Sequence, residues 1–248
     1  MSNLANKVAF VTGGSRGIGA AIVKRLAADG AHVAFTYVSA TDKALALATT
    51  IEEAGGTALP IQADSGDAAA IAAAIETAVQ RLGGLDIIVN NAGVSVFSPV
   101  DHAEDTLDVV ARLHAINVTG VAAAVRTASK YLGDGGRVIN IGSSFADRVA
   151  FAGFADYAAT KAALAAYARG WAWDLGKKGI TVNTIQPGPT DTDMNPDNSD
   201  FATTIKAGLA LGRYASPDEI AAVVSFVASP DASFVTGATI NVDGGQNA

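Results

Sequence analysis

The 248-residue chain has no cysteine, so a disulfide framework, a thiolate nucleophile and a cysteine-based metal centre are all excluded. Histidine is scarce, and His32, His102 and His114 lack paired ligand spacing, so no metal site is expected. Basic residues number 17 against 24 acidic ones, a net charge of −7, and they form no concentrated cationic face; nucleic acid is not an expected partner. Long hydrophobic runs are also missing. The longest plain one, Ala68 to Ile75, falls far short of the roughly 20 residues that span a bilayer. The start, MSNLANKVAFVTGG, has no basic region leading into an apolar core and cleavage site. A cytoplasmic chain without membrane attachment is therefore expected.

What is present is an alternation. Short β-branched runs at 7–12, 32–37, 57–62, 85–90, 136–142, 179–185 and 238–243 are separated by Ala-rich segments of helical period. Several runs are apolar at successive positions, as in strands covered on both faces. Helices are expected over Ala20–Asp29, Asp42–Ala54, Asp67–Leu82, about Ala103–Tyr131, Asp156–Lys178 and Pro217–Ala228, the fourth interrupted near Asn117–Gly120. This is the pattern of a single α/β domain over 1–248, a Rossmann-type doubly wound parallel sheet of about seven strands with helices on both faces. Segment 187–217, rich in turn formers and without a strong strand, is expected to cover the substrate.

The stretch VAFVTGGSRGIGAAIVKRLAADGAHVAF runs strand, glycine-rich turn, helix, strand, a unit that sets a helix N-terminus against a dinucleotide pyrophosphate. Its glycines, Gly13, Gly17 and Gly19, depart from G-x-G-x-x-G spacing, and no G-K-[ST] follows. Together with N-N-A-G at 90–93 and Y-x-x-x-K at 157–161, the T-G-x-x-x-G-x-G at 12–19 resembles the short-chain dehydrogenase/reductase family. The likeness continues through PGPTDTDM and VTGATINVDGG and covers essentially the whole chain. It implies a nicotinamide dinucleotide held by Gly13, Ser15, Arg16, Gly17, Ile18 and Gly19, by Asp64 near the adenine amino group, and by Asn91, Ala92 and Gly93 at the adenosine ribose. It further implies contacts from Pro187, Gly188, Thr190 and Thr192 to the nicotinamide or pyrophosphate, although either threonine alternatively serves its own turn.

A carboxylate at the end of the second strand would select NAD; Tyr37 stands there instead. With Arg16 in the loop and Ser15, Ser39, Thr41 and Lys43 nearby, NADP(H) is expected over NAD(H).

Tyr157 and Lys161 lie one helical turn apart on one face. An ammonium about 4 Å away at an effective dielectric of about 20 favours phenolate by roughly 4 kcal/mol, while desolvation opposes it. By the resemblance, Tyr157 exchanges the proton, Lys161 also holds the nicotinamide ribose, and Asn117 helps hold a water connecting the lysine to solvent. A serine polarises the carbonyl. Ser144 precedes Tyr157 by 13 residues, the commonest family spacing; Ser143 precedes it by 14 and aligns from the strand INIGS. Since a strand fixes position more tightly than a loop, Ser143 is the expected donor.

The expected reaction is NADPH-dependent reduction of a ketone such as a 3-oxoacyl thioester, quinone or small prochiral ketone. Oxidation of an alcohol, polyol or sugar is the alternative, and a nucleotide-binding regulatory protein on the same fold is a third reading. Val94, Val96, Phe97, Phe145, Val149, Phe151, Phe154 and Met194 are candidates for an apolar cleft, tuned by Arg148 and the acidic 191–200 segment. The resemblance also implies a homotetramer. A calcium loop from Asp191 is rejected because Pro196 replaces its glycine and Ala202 its glutamate, and NIGSSFA lacks the second glycine of a hydrolase elbow.

Overall fold

A computed structural model describes residues 4–101 and 107–248. Seven parallel strands, β1 (Val8–Val11), β2 (His32–Tyr37), β3 (Thr57–Gln62), β4 (Ile87–Asn90), β5 (Arg137–Ile141), β6 (Thr181–Pro187) and β7 (Thr239–Val242), form one sheet in the order β3-β2-β1-β4-β5-β6-β7. All seven expected strands are present. Every residue of β1, β4, β5 and β6 is buried, in keeping with strands covered on both faces, whereas the edge strands β3 and β7 are partly exposed.

Helices α1 (Gly17–Ala28), α2 (Thr41–Glu53) and α8 (Pro217–Ala228) cover one face, and α3 (Ala68–Leu82), α5 (Val121–Ala128) and α6 (Ala155–Gly176) the other. The period of two in β1 divides the core: Ala9 and Val11 join Ile22, Leu26, Ile220 and Val224 on the first face, while Phe10 joins Ile71, Val125, Leu164 and Trp171 on the second. Asp67 caps α3 by accepting from the backbone N–H groups of Ala69 and Ala70.

The expected interruption of the fourth helix is real. Between α4 (Leu107–His114) and α5, residues Ala115–Gly120 form a π-helical turn, which carries Asn117 into the protein interior. The first residues of that expected helix, 103–106, lie outside the described residues, as does His102. Leu107–Ala128 is long and apolar enough by composition to cross a membrane. Its apolar character is accounted for by packing, since Val121, Ala122, Val125 and Ala128 fill the core. Segment 187–217 differs from the expected loop by containing α7 (Ala202–Ala207), a short helix hidden among turn formers.

The order reverses beside β1, whose neighbours β2 and β4 receive crossovers running in opposite directions. Ligands in open parallel sheets bind at the carboxyl ends of the strands at such a point. Helix α1 begins there, backed by α8 through Ile22, Val23 and Leu26 against Ile220, Val224 and Val227. A capping box at Ser216 and Glu219 starts α8, with Pro217 at its first position. Ser216→Ala should lower stability by about 1 kcal/mol. A urea titration should show a lower midpoint at unchanged slope; an unmoved midpoint would contradict the role of this cap.

Candidate active site

A single cleft of ≈ 1190 Å³ runs across the carboxyl ends of the strands. Every cofactor-contact residue expected from the sequence, from Gly13 to Thr192, lines it, as do Ser143, Tyr157 and Lys161. Asn117 does not; it lies fully buried behind the wall.

At the switch point, Thr12 Oγ1 accepts from the N–H groups of Asn91 and Ala92 at 3.0 Å each. Asn91 Nδ2 donates back to the Thr12 and Gly13 carbonyls at 2.9 and 3.0 Å. Thr36 Oγ1 accepts from Gly13 N–H. The chain then turns through Gly13 and Gly17, both with positive φ, into α1, whose N-cap residue Arg16 is extended and supplies no side-chain cap. The first-turn N–H groups of α1 are thus left for an anion rather than for the protein itself. A Cβ on Gly19 would stand 2.2 Å from the Gly13 carbonyl and 2.5 Å from Asn91 Nδ2, so only glycine permits this turn. The loop fits a dinucleotide pyrophosphate.

Towards β2 the cleft wall is Thr36, Tyr37, Val38, Ser39 and Ala40, without an acid, opposite the exposed Arg16. Lys43 stands outside this wall and pairs with Asp193 of the covering segment at 3.1 Å. Asp64 accepts from Gly66 N–H and from Arg112 Nη2, and both, the backbone donor foremost, hold its carboxyl below the usual carboxylate range. Thr190 Oγ1 donates to the Gly188 carbonyl, and Thr192 Oγ1 accepts from Asn195 N–H, so each hydroxyl serves its own turn; Thr192 also packs its methyl against Gly17.

At the other end the two candidate serines separate. Ser143 caps the short 3₁₀ turn Ser144–Ala146 by accepting from Phe145 N–H, and its hydroxyl lies on the Tyr157 side, where it favours the phenolate. Ser144 is turned away, its hydroxyl donating to Gln246 Oε1 at 2.8 Å and its carbonyl accepting from Asn247 Nδ2. Strand register, not loop length, predicts which serine faces the tyrosine.

Lys161, fully enclosed on α6, donates through Nζ to the Ile141 carbonyl at 2.9 Å, and burial pushes it down to about 8. Its ammonium is 5.8 Å from the Tyr157 ring centre. The expectation that this ammonium would dominate Tyr157 is not met: burial pushes the phenol above its usual value, with the Ser143 hydroxyl opposing. Asn117 Oδ1 accepts from Val94 N–H, and Nδ2 donates to the Val94 carbonyl and to Thr160 Oγ1, whose hydroxyl donates to the Tyr157 carbonyl. The π turn thereby couples the loop after β4 to the helix bearing Tyr157 and Lys161.

Of the apolar candidates, Val94, Phe97, Phe145, Phe151, Phe154 and Met194 line the cleft, and Val96 and Val149 do not. Sequence reasoning missed Phe201, Arg112 and Gln246, which also line it. Phe201 was hidden because α7 itself was unrecognised; Arg112 and Gln246 carry no local signal, since tertiary packing alone brings them here.

A family model described as Enoyl-(Acyl carrier protein) reductase matches residues 13–247. The chain is 43% identical over 98% of both sequences to the Cyclic-di-GMP-binding biofilm dispersal mediator protein of Escherichia coli. It is similar to a short-chain dehydrogenase/reductase structure from Serratia marcescens, with 51% identity, TM-score 0.97, and coverage of 99% of this chain and 100% of that one. A short chain dehydrogenase from Burkholderia cenocepacia in complex with NADP gives 46% identity and TM-score 0.97 at the same coverages.

The depressed lysine carries a linkage consequence. Between pH about 8 and 10.5, the unfolded chain keeps a Lys161 proton that the folded chain has released, so this group makes stability rise with pH across that window. Relative to a Lys161→Met variant, the native chain should gain on the order of 3 kcal/mol between pH 7.5 and 10.5. Paired urea titrations measure this; parallel pH profiles would show that the lysine is not depressed.

Proposed function

The chain belongs to the short-chain dehydrogenase/reductase family, and on that premise we propose that it is an NADPH-dependent reductase converting a ketone into a secondary alcohol. The observation that carries this reading is that Ser143, Tyr157 and Lys161 together line one cleft with the glycine loop, the phenol held in its neutral form. A neutral tyrosine can act as the acid that reduction requires, and the same group run in reverse would take the proton in oxidation of an alcohol.

The α1 N-terminus and Lys161 would hold NADPH, which would supply the hydride that the carbonyl carbon gains. Tyr157 Oη transfers its proton to the carbonyl oxygen, while Ser143 Oγ donates a hydrogen bond to the same oxygen and fixes its direction. The C=O π bond becomes one C–H and one O–H bond. Lys161, with a pKa of about 8, can return a proton to the phenolate near neutrality and offers its remaining N–H donors to the nicotinamide ribose. Asn117 holds the Val94 backbone and, through Thr160, the turn of α6 that bears the tyrosine, beside the position proposed for the relay water.

Selection of NADP(H) over NAD(H) is supported by the missing acid at Tyr37, by the exposed Arg16 guanidinium and by the NADP complex of the Burkholderia relative. Asp64, oriented by Arg112, is suited to accept from the adenine amino group. A cytoplasmic homotetramer acting on a small carbonyl or alcohol completes the reading. Exposed Trp173 on α6 and Phe226 on α8 support the assembly. The name of the Escherichia coli relative favours one second reading, a nucleotide-binding regulator that uses the same cleft without turnover.

Tyr157→Phe should lower kcat about 10²-fold or more while NADPH affinity, followed by cofactor fluorescence, stays within twofold. Full biological effect from this variant would favour the regulator instead. Ser143→Ala should fall more than Ser144→Ala in kcat; the reverse order would shift the carbonyl donor to Ser144. In steady-state assays kcat/KM should favour NADPH over NADH by about tenfold or more, and Arg16→Ala should erase most of that ratio, since one lost charged contact is worth about 1.5–3 kcal/mol. Equal efficiency with NADH would remove the preference.

A further inference from the structure

Beyond the glycine loop, the cleft changes chemistry. Phe97 meets Phe154 edge-on with ring centres 5.9 Å apart, Phe154 meets Phe145 at 5.5 Å, and Phe145 meets Tyr157 at 6.3 Å, so an unbroken aromatic wall leads to the phenol. Phe151 adds a tilted ring at 6.3 Å from Phe145. The wall is fixed from behind. The Phe97 ring packs against Gly153, where a Cβ would approach it to 2.4 Å, and Ser98 binds the same loop twice, through its N–H to the Gly153 carbonyl and its hydroxyl to Asp156.

On the opposite side the covering segment presents Met194 and Phe201, which are 59% and 74% exposed, facing a cleft shared with the 63% exposed Phe97. Large apolar side chains concentrated at one concave mouth mark a surface that a ligand covers. Among the described residues lining this end, the one cation is Lys161, which the Ile141 carbonyl and the proposed nicotinamide ribose engage. Arg148 stands outside the lining and donates to the Gln246 carbonyl, and Lys206, also outside it, donates to Asp197. The charge that does line the covering segment is an acid, Asp193.

We infer that this pocket takes a neutral, flat aryl ketone, with Phe97 and Phe201 gripping the ring system on either side of a carbonyl aimed at Tyr157. The inference rests on the reductase reading for its reaction but on the pocket alone for its selectivity. Rings stack face or edge against such walls, and a neutral ligand surrenders no charge hydration on entering. A carboxylate or the polyphosphate of a coenzyme A thioester would find no cationic partner here beyond the engaged Lys161, and the chain's net charge of −7 repels an acidic carrier protein. The 3-oxoacyl thioester offered by the sequence is therefore disfavoured.

Calorimetry on the NADP⁺-loaded wild-type protein, where no reduction can proceed, tests selectivity with 2-tetralone, acetoacetate and acetoacetyl-CoA as probes. 2-Tetralone should bind at least tenfold more tightly than either anion. Phe97→Ala and Phe201→Ala should each weaken it about fivefold, with Phe97→Tyr restoring affinity, while NADP⁺ binding stays unchanged. These side chains are exposed, so their removal leaves the core intact. Equal or tighter binding of acetoacetyl-CoA, or tetralone affinity indifferent to both alanine variants, would overturn the inference. Turnover of 2-tetralone with NADPH is then measured separately: tight, Phe97-dependent binding without reduction would sustain the pocket assignment while removing the reductase reading.

Discussion

Asn91 and Thr12 cross the gap between β4 and β1 with four hydrogen bonds of 2.9–3.0 Å, and both functional ends of the cleft hang from that junction. On the β1 side the junction fixes the Gly13 carbonyl, against which Gly19 packs, and so sets where α1 begins. On the β4 side it fixes the chain just before Gly93 and Val94, which Asn117 then holds from beneath. Each bond satisfies a backbone group that would otherwise be stranded where the sheet order reverses. The two rims of the cleft are thereby held in a fixed relation.

The tyrosine and lysine show why that rigidity matters. Both are disfavoured in their charged forms by burial, since the phenol is raised and the ammonium lowered to about 8. Burial drives them apart from similar ordinary values, leaving a neutral phenol beside an amine at about 8. A surface pair at the same helical spacing would have no such division. The enclosure comes from α6 packing against β5 and β6, with Leu164 and Trp171 in the core and the Ile141 carbonyl receiving the ammonium. Proton chemistry here is a consequence of packing.

Much of this was legible in the chain itself. Apolar runs such as VAFV and IIVN announce central strands because both faces are covered, and the interruption at Asn117 was visible where a helical period broke at Asn-Val-Thr-Gly. The glycine loop, Tyr157 and Lys161 were legible because local spacing brings them to one side. The strand also told which serine stands on the tyrosine side, because Ser143 follows two residues after β5 while Ser144 turns to Gln246. What escaped depends on distant chain segments. Arg112 reaches Asp64 over 48 positions and Gln246 reaches Ser144 over 102, contacts without sequence periodicity. The direction of the tyrosine shift escaped as well, because an i,i+4 spacing gives the partner charge but not the depth at which the pair is buried.

The two ends of the cleft also differ in who supplies their chemistry. At the dinucleotide end, recognition is made by backbone: open N–H groups of α1, glycines without side chains, and strand termini held by Thr12, Thr36 and Asn91. Backbone contacts tolerate little variation in the residues that make them, and they explain why this half carries motifs a single sequence can expose. At the carbonyl end, recognition is made by side chains on loops 94–98 and 145–154 and on the covering segment, linked by Ser98 to Asp156 and to Gly153. Such a wall can change from aromatic to cationic without disturbing a strand. The scaffold therefore sets where a dinucleotide sits, while the loops set the shape and chemistry of the remaining wall, which the fold alone does not determine.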